Sequence, residues 1–248
     1  MLARWPVVKG GRVALSRGQV MGLIQPEIYA QWRRKRLGEV TEQVERELIM
    51  GLAGPLHGRR VLDVGCGDGT YVIEAASRGA VVTGVDSSQR MLDAARQRAR
   101  DAGVECRLEL ADATSLPFSD ASFDVVFIVT ALCFVEDADK AFREAARVLV
   151  PGGRLVVGEL NRWSTWAAWR SLRALLGSPI WRHARFRSAQ ELVRLAQGAG
   201  LSVERTAGAV YFPPVGLLAQ LMAPFDRPLG TLTTLGAAFV AVMAIKGV

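Results

Sequence analysis

Val61-Leu62-Asp63-Val64-Gly65-Cys66-Gly67-Asp68-Gly69 is the stretch on which the fold turns. Arg60–Val64 is a short β-branched run that ends in glycine, as a buried parallel strand does, and Thr70–Arg78 beyond the loop reads as a helix stopped by Gly79. Without Cβ atoms, Gly65, Gly67 and Gly69 let the loop turn tightly and let a ligand approach the backbone. The helix start behind the loop offers free N–H groups to a carboxylate or phosphate.

Working outward, the same alternation repeats to residue 160. Val81–Val85 predicts a second strand, Ser87/Ser88 a cap for a helix over Gln89–Ala102, Glu105–Leu110 a third strand and Phe123–Val129 a fourth. Asp139–Leu149 reads as a helix, Pro151-Gly152-Gly153 as a turn and Arg154–Leu160 as a fifth strand. Strands that alternate with helices predict a Rossmann-like α/β fold, a mostly parallel sheet with helices on both faces. Upstream, one helix is expected over Pro26–Gly51. Downstream, Arg162–Leu176 is an amphipathic segment carrying Trp163, Trp166 and Trp169, and Ser188 with Glu191 forms the capping box of a helix over Ser188–Gly198. Leu201–Thr206 and Ala237–Ile245 are strand-like, and the apolar stretch between them, with Pro213-Pro214, Pro224 and Pro228, is too broken for one long helix.

The glycine loop differs from the dinucleotide fingerprint used by nicotinamide and flavin proteins: its third glycine comes one residue early, Thr70 stands where Gly or Ala belongs, and Asp63 precedes it. Asp86 closes the second strand, where an acid can accept both hydroxyls of a ribose or simply cap the strand. Asp112-Ala113 follows the third strand, where a carboxylate or backbone group can meet an adenine amino group. With Leu116-Pro117-Phe118, Ser122-Phe123-Asp124 and Arg147-Val148-Leu149-Val150-Pro151-Gly152-Gly153, these residues resemble the class I S-adenosylmethionine (SAM)-dependent methyltransferases, in particular the group with the ubiquinone and menaquinone methyltransferases. The resemblance covers about residues 60–160.

That resemblance implies a seven-stranded sheet with an antiparallel last strand at its edge, which suits Ala237–Ile245, and helical cap segments. It divides the chain into an N-terminal helical segment over the cofactor site (1–58), a SAM-binding core (59–160), a cap insertion (161–187) and a remainder completing the sheet (188–248). It implies SAM as cofactor and S-adenosylhomocysteine as product. Gly65, Cys66 and Gly67 would face the methionine moiety, with Asp63 orienting its amino end and the Thr130 carbonyl receiving it. Asp86 and Ser87 would meet the ribose, and Asp112 and Ala113 the adenine. Met91 either packs on the adenine or is plain core, and Tyr29 or Trp32 matches the aromatic lid of relatives.

Three scattered cysteines and two histidines exclude a disulfide framework and give no zinc motif, so no metal is expected and a reducing cytoplasm is the expected compartment. The uncharged run Leu229–Ile245 is shorter than the ~20 residues of a spanning helix. The net charge of +7 is unevenly placed: residues 161–187 hold six arginines and no acid, residues 1–36 eight bases and one acid, and residues 37–160 carry an acidic excess. Such patches suit anionic partners or are solvated helix faces. No Asn-Pro-Pro-aromatic motif is present, which argues against nucleic-acid methylation.

The expected reaction is therefore transfer of a methyl group to a small acceptor. The cap tryptophans and Val215–Met222 suit an apolar, lipid- or quinone-like acceptor, with peripheral contact to an anionic membrane surface. A soluble thiol, amine or metalloid acceptor, or SAM binding without turnover, are the alternatives. Cys133, Glu136, Glu159 and Asn161 lie at the carboxyl ends of strands four and five, where ligands of open α/β sheets bind, and His183 lies in the cap; Cys133 equally suits a small buried apolar position. Relatives place a His or polar residue near Phe134 and this chain has none, which argues against a His-based C-methylation.

Overall fold

The computed structural model describes residues 25–175 and 184–247. Strands β1 (Arg60–Val64), β2 (Val81–Asp86), β3 (Arg107–Leu110), β4 (Phe123–Val129), β5 (Leu149–Leu160), β6 (Leu201–Ala209) and β7 (Phe239–Lys246) form one sheet in the order β3-β2-β1-β4-β5-β7-β6. The first five pair in parallel, and β7 runs antiparallel to both β5 and β6. Helices α1 (Pro26–Arg33) and α2 (Arg36–Ala53) precede the sheet, and α3 (Thr70–Ser77), α4 (Gln89–Asp101) and α5 (Ala138–Val148) connect its parallel strands. After β5 come α6 (Thr165–Leu175), α7 (Ala189–Gly198) and α8 (Gly216–Leu232).

Strand side chains alternate between two cores, as the two-residue period of a strand dictates. Leu62, Val64, Val126 and Ile128 pack with Phe142 of α5 and Leu192 of α7 on one face. Val61, Val125 and Phe127 pack with Ile49 of α2 and Val72 of α3 on the other. Asp63 shares the parity of Val61 and so faces the side of α2 and α3. The chain leaves β1 first toward β2 and β3 and then returns to β4, so a crevice opens beyond the carboxyl ends of β1 and β4, where open α/β sheets hold ligands.

Four expectations are corrected. The upstream helix is two helices, with Lys35 extended between them (ψ 142°). Arg33, Arg34, Lys35 and Arg36 repel one another along a helix, and the bend turns Arg33 onto an ion pair with Asp68. The strand β5 begins at Leu149 and runs through Pro151-Gly152-Gly153, which forms an irregularity in the pairing with β4 rather than a separating turn. The seventh strand is not at the edge: β7 is buried along most of its length and needs a neighbour on each side, whereas half-exposed β6 takes the rim. Finally, the proline-rich stretch does form one helix, α8, with Pro224 and Pro228 inside it. The prolines lie four residues apart, so both defects fall on one face. The Asp226 carboxylate between them accepts the Val210 and Tyr211 amides at 2.7 and 2.9 Å, anchoring the helix despite its missing N–H groups.

Candidate active site

A cavity of about 730 Å³ occupies the crevice. It is roofed by α1 and α2 on one side and by α6 on the other, and Pro214 stands at its rim. A separate, more open depression of about 880 Å³ between α6 and residues 184–187 shares none of the glycine loop.

The loop is tied to β2 as well as to itself, the Gly69 amide donating to the Cys66 carbonyl at 2.9 Å. Gly65 and Cys66 both donate their amides to the Val85 carbonyl, at 2.8 and 2.9 Å, with Gly65 at φ 72°. Gly67, at φ 54°, donates to Asp86 Oδ2 at 2.9 Å, and the place its side chain would take is open. Asp86 also accepts the Ser88 amide on Oδ1 at 2.8 Å. Burial raises its pKa while these amides pull it back. Each oxygen keeps lone pairs for a further donor. Ser88 caps α4 and so sets Met91 on the cavity wall. Asp112 Oδ1 accepts the Thr114 amide and hydroxyl, both at 2.7 Å. Thr130 sits at φ 51°, a strained conformation for a β-branched residue, held by its amide on the Gly158 carbonyl at 2.8 Å.

Gly65, Cys66, Gly67, Asp86, Ser87, Met91, Asp112, Ala113 and Thr130 thus line one cavity, and both Tyr29 and Trp32 reach it from α1. Asp63 lies buried behind the loop. Its Oδ2 has no hydrogen-bond partner among the described residues, and burial beside Asp86 raises its pKa to about 8. An orphaned buried carboxylate oxygen, an open place at Gly67 and a ring of acceptors at Asp86 and Asp112 fit a cofactor with an ammonium at one end and a ribosyl adenine at the other.

The proposed catalytic candidates separate. Cys133 lines the cavity, but its thiol donates to the Thr130 carbonyl at 3.4 Å and burial raises its pKa well above the ordinary value. Glu159 is fully buried and outside the lining: it accepts the Cys133 and Leu160 amides at 3.3 Å, and Arg187 holds the Leu132 carbonyl at 2.6 Å. Together they fix the turn Leu132–Phe134. Burial outweighs Arg187 and raises Glu159 to about 7. Asn161 spends its amide on the Thr234 and Ala237 carbonyls, and Glu136 is exposed at the rim. His183 lies outside the described residues.

Sequence reading missed two groups. The first is a clamp on the lid: Arg33 pairs with both oxygens of Asp68, stands 3.7 Å from Glu42 and lies over the Tyr29 ring, and Asp68 also meets Arg98 at 2.8 Å. The second is the far end of the cavity, where Thr41, Glu45, Tyr71, Arg170 and Arg173 join the expected cap tryptophans Trp166 and Trp169. Trp166 donates its indole N–H to the Phe212 carbonyl at 2.8 Å, and the Arg170 guanidinium lies 5.1 Å from its ring. A signal for Glu45 existed: Thr41, Glu45 and Ile49 form an i, i+4 stripe, so a carboxylate stands in the buried face of α2.

Comparison with known proteins agrees with this geometry. Residues 62–157 match the methyltransferase domain family model. The chain is 35% identical over 169 residues to the ubiquinone biosynthesis O-methyltransferase of Thiobacillus denitrificans, covering 64% of this chain and 71% of that protein. It is 44% identical over 124 residues to the 27-O-demethylrifamycin SV methyltransferase of Amycolatopsis mediterranei, covering 48% and 46% respectively, so it spans about half the length of that relative. A SAM-dependent methyltransferase from Thermotoga maritima, described as a possible histamine N-methyltransferase, superposes with a TM-score of 0.69 at 24% identity over 93% of this chain and all of its own.

Proposed function

The chain belongs to the SAM-dependent methyltransferases, and from that premise we propose that its acceptor is a small apolar, quinone- or lipid-like molecule methylated by direct in-line transfer. The observation that carries this reading is the wall opposite the glycine loop, where Leu37, Tyr71, Leu160, Trp166, Trp169 and Pro214 surround the space beside the cofactor residues. A flat, apolar body fills such a space and excludes water from it. The relatives named for ubiquinone biosynthesis and for a rifamycin support the same class, since both names describe acceptors of large carbon frame.

When bound, SAM supplies a methyl group made electrophilic by its sulfonium. The chain's own work is positioning. Asp86, Ser87 and Asp112 would hold the nucleoside, and the open place at Gly67, the Thr130 carbonyl and Asp63 buried behind the loop the amino-acid end. Tyr29 and Trp32 close α1 over it, while Trp166 and Trp169 press the acceptor into line from α6.

The surroundings of the cavity suit an acceptor drawn from a lipid surface. Helix α8 buries Ala219, Asp226 and Gly230 and exposes Leu217, Leu221, Phe225 and Leu232, an apolar stripe on the outside. Helix α6 exposes Leu172 and Leu175, within the segment rich in arginine and free of acid. Apolar stripes flanked by cations match an anionic interface. Among the described residues no helix is long and apolar enough to cross a membrane, so the contact would be peripheral.

A screen with labelled SAM tests the reading. Label is expected in quinols and apolar hydroxyl compounds. Label confined to soluble thiols, amines or arsenite would overturn it, and SAM binding with no turnover on any class would point to a non-catalytic binder.

A further inference from the structure

We propose that Glu45 is the general base of the transfer, and that the acceptor it serves carries a phenolic or enolic hydroxyl. This rests on reading the cavity as the acceptor site and adds the atom that is methylated.

Glu45 stands apart from the other carboxylates of the cavity. Asp86 is tied to the Gly67 and Ser88 amides, and Asp68 to Arg33 and Arg98. Asp112 is held by Thr114, and Asp137 caps α5 through the Lys140 amide. Glu45 is only 9% exposed and lines the cavity, yet accepts no hydrogen bond among the described residues. The stripe of α2 that buries it continues through Ile49, Leu52 and Ala53 as ordinary core. The stripe turns polar at Thr41 and Glu45, where the helix overhangs the cavity. Burying a carboxylate there is unfavourable unless something else is gained.

Its surroundings set its basicity. Glu42 on its own helix, Asp226 of α8, Arg170 of α6, Tyr29 of α1 and Tyr71 of α3 are the charged and titratable groups around it. Burial and the two acids outweigh Arg170 and raise the carboxyl to about 8. A base of that strength is matched to a hydroxyl with the ~10 of a phenol, whereas an amine protonated at neutral pH would need no such group once its proton is lost to solvent. Arg170 is positioned to steady the negative charge that develops on the acceptor oxygen.

The step balances. The acceptor O–H proton passes to a Glu45 oxygen as the acceptor oxygen forms its bond to the methyl carbon. The sulfur–methyl bond breaks with its electron pair left on sulfur. The products are a methyl ether, a neutral thioether and a protonated Glu45, which returns its proton to water when the ether leaves.

The test uses the full chain with catechol as probe and 1,2-dimethoxybenzene as the probe without a proton. With labelled SAM, Glu45→Gln is expected to lower kcat by about 100-fold or more while KM and the calorimetric affinity for SAM stay within about threefold. The wild-type rate should rise with pH, be half-maximal near 8 and level off above it; that limb should vanish in Glu45→Gln and return in part in Glu45→Asp. Independently of turnover, the Glu45 carboxyl ¹³C resonance of the S-adenosylhomocysteine complex should shift on adding catechol and stay put with the diether. Catechol turnover unchanged in Glu45→Gln, a pH limb that survives it, or a Glu45 resonance indifferent to catechol would overturn the proposal. Should the Gln variant not fold, Glu45→Asp and the wild-type carboxyl titration decide the matter. Label in thiols or amines alone removes the hydroxyl assignment while leaving SAM binding by calorimetry intact; loss of SAM binding itself strikes the reading beneath it.

Discussion

Asp63 and Glu45 face the same side of the sheet, one behind the cofactor loop and one above the acceptor space, and each keeps a proton that an exposed carboxyl would have lost. For Asp63 the ordinary value is 3.8 and the folded value about 8, so between those limits the folded chain binds more protons than the unfolded one. Stability therefore falls as pH rises through that window and levels off above it. Without SAM, the melting temperature is expected to drop by roughly 5 °C between pH 5 and 8, followed by calorimetry. Asp63→Asn should flatten part of that slope and weaken SAM binding, because it removes the negative charge that an ammonium would meet. A slope unchanged in the variant would remove Asp63 from this account. Asp63 stood out as a proposed cofactor contact from its place before the glycines, and the structure buries it behind the loop. Glu45 was legible only in part: the stripe of Thr41, Glu45 and Ile49 marks it for the buried face of α2, but only the packing of the helix shows that this face overhangs the cavity there.

Among elements, α1 is held by its clamp and by its packing on α2 and α4. It buries no residue fully, and Arg33 on Asp68 fastens it to the loop it covers. Arg33→Ala should leave the melting temperature nearly unchanged, since Asp68 keeps Arg98, but weaken SAM binding about fivefold, chiefly through faster release in stopped-flow measurements. Equal loss of affinity and stability would mean that α1 is a structural element rather than a lid. Tyr29 and Trp32 were readable as candidates for an aromatic lid and both line the cavity, but the bend that brings them there was not readable, because local periodicity continues across Lys35. Helix α8 failed in the opposite sense. Two prolines argue against a helix from within the chain, and the buried Asp226 that anchors it to the end of β6 is a contact sixteen residues away.

At the scale of the molecule, the exposed apolar stripe of α8 and the exposed leucines of the arginine-rich α6 are the surfaces proposed to meet a lipid surface. Flotation with vesicles of phosphatidylglycerol and phosphatidylcholine should carry the protein, and added salt should reduce the bound fraction. Leu221→Glu with Phe225→Glu should lower binding about tenfold or more with SAM affinity unchanged. Equal recovery on neutral and anionic vesicles, or none on either, would exclude the interface. By itself the sequence determined the alternating core from β1 to β5, the cofactor loop and the residues beside it, because these follow from spacing along the chain and from glycine's missing side chain. Tertiary structure alone decided where β7 inserts, how α1 bends over the loop and that the buried face of α2 overhangs the acceptor space at Glu45. Those depend on groups far apart in the chain becoming neighbours, where burial and charge act through space and leave no local pattern.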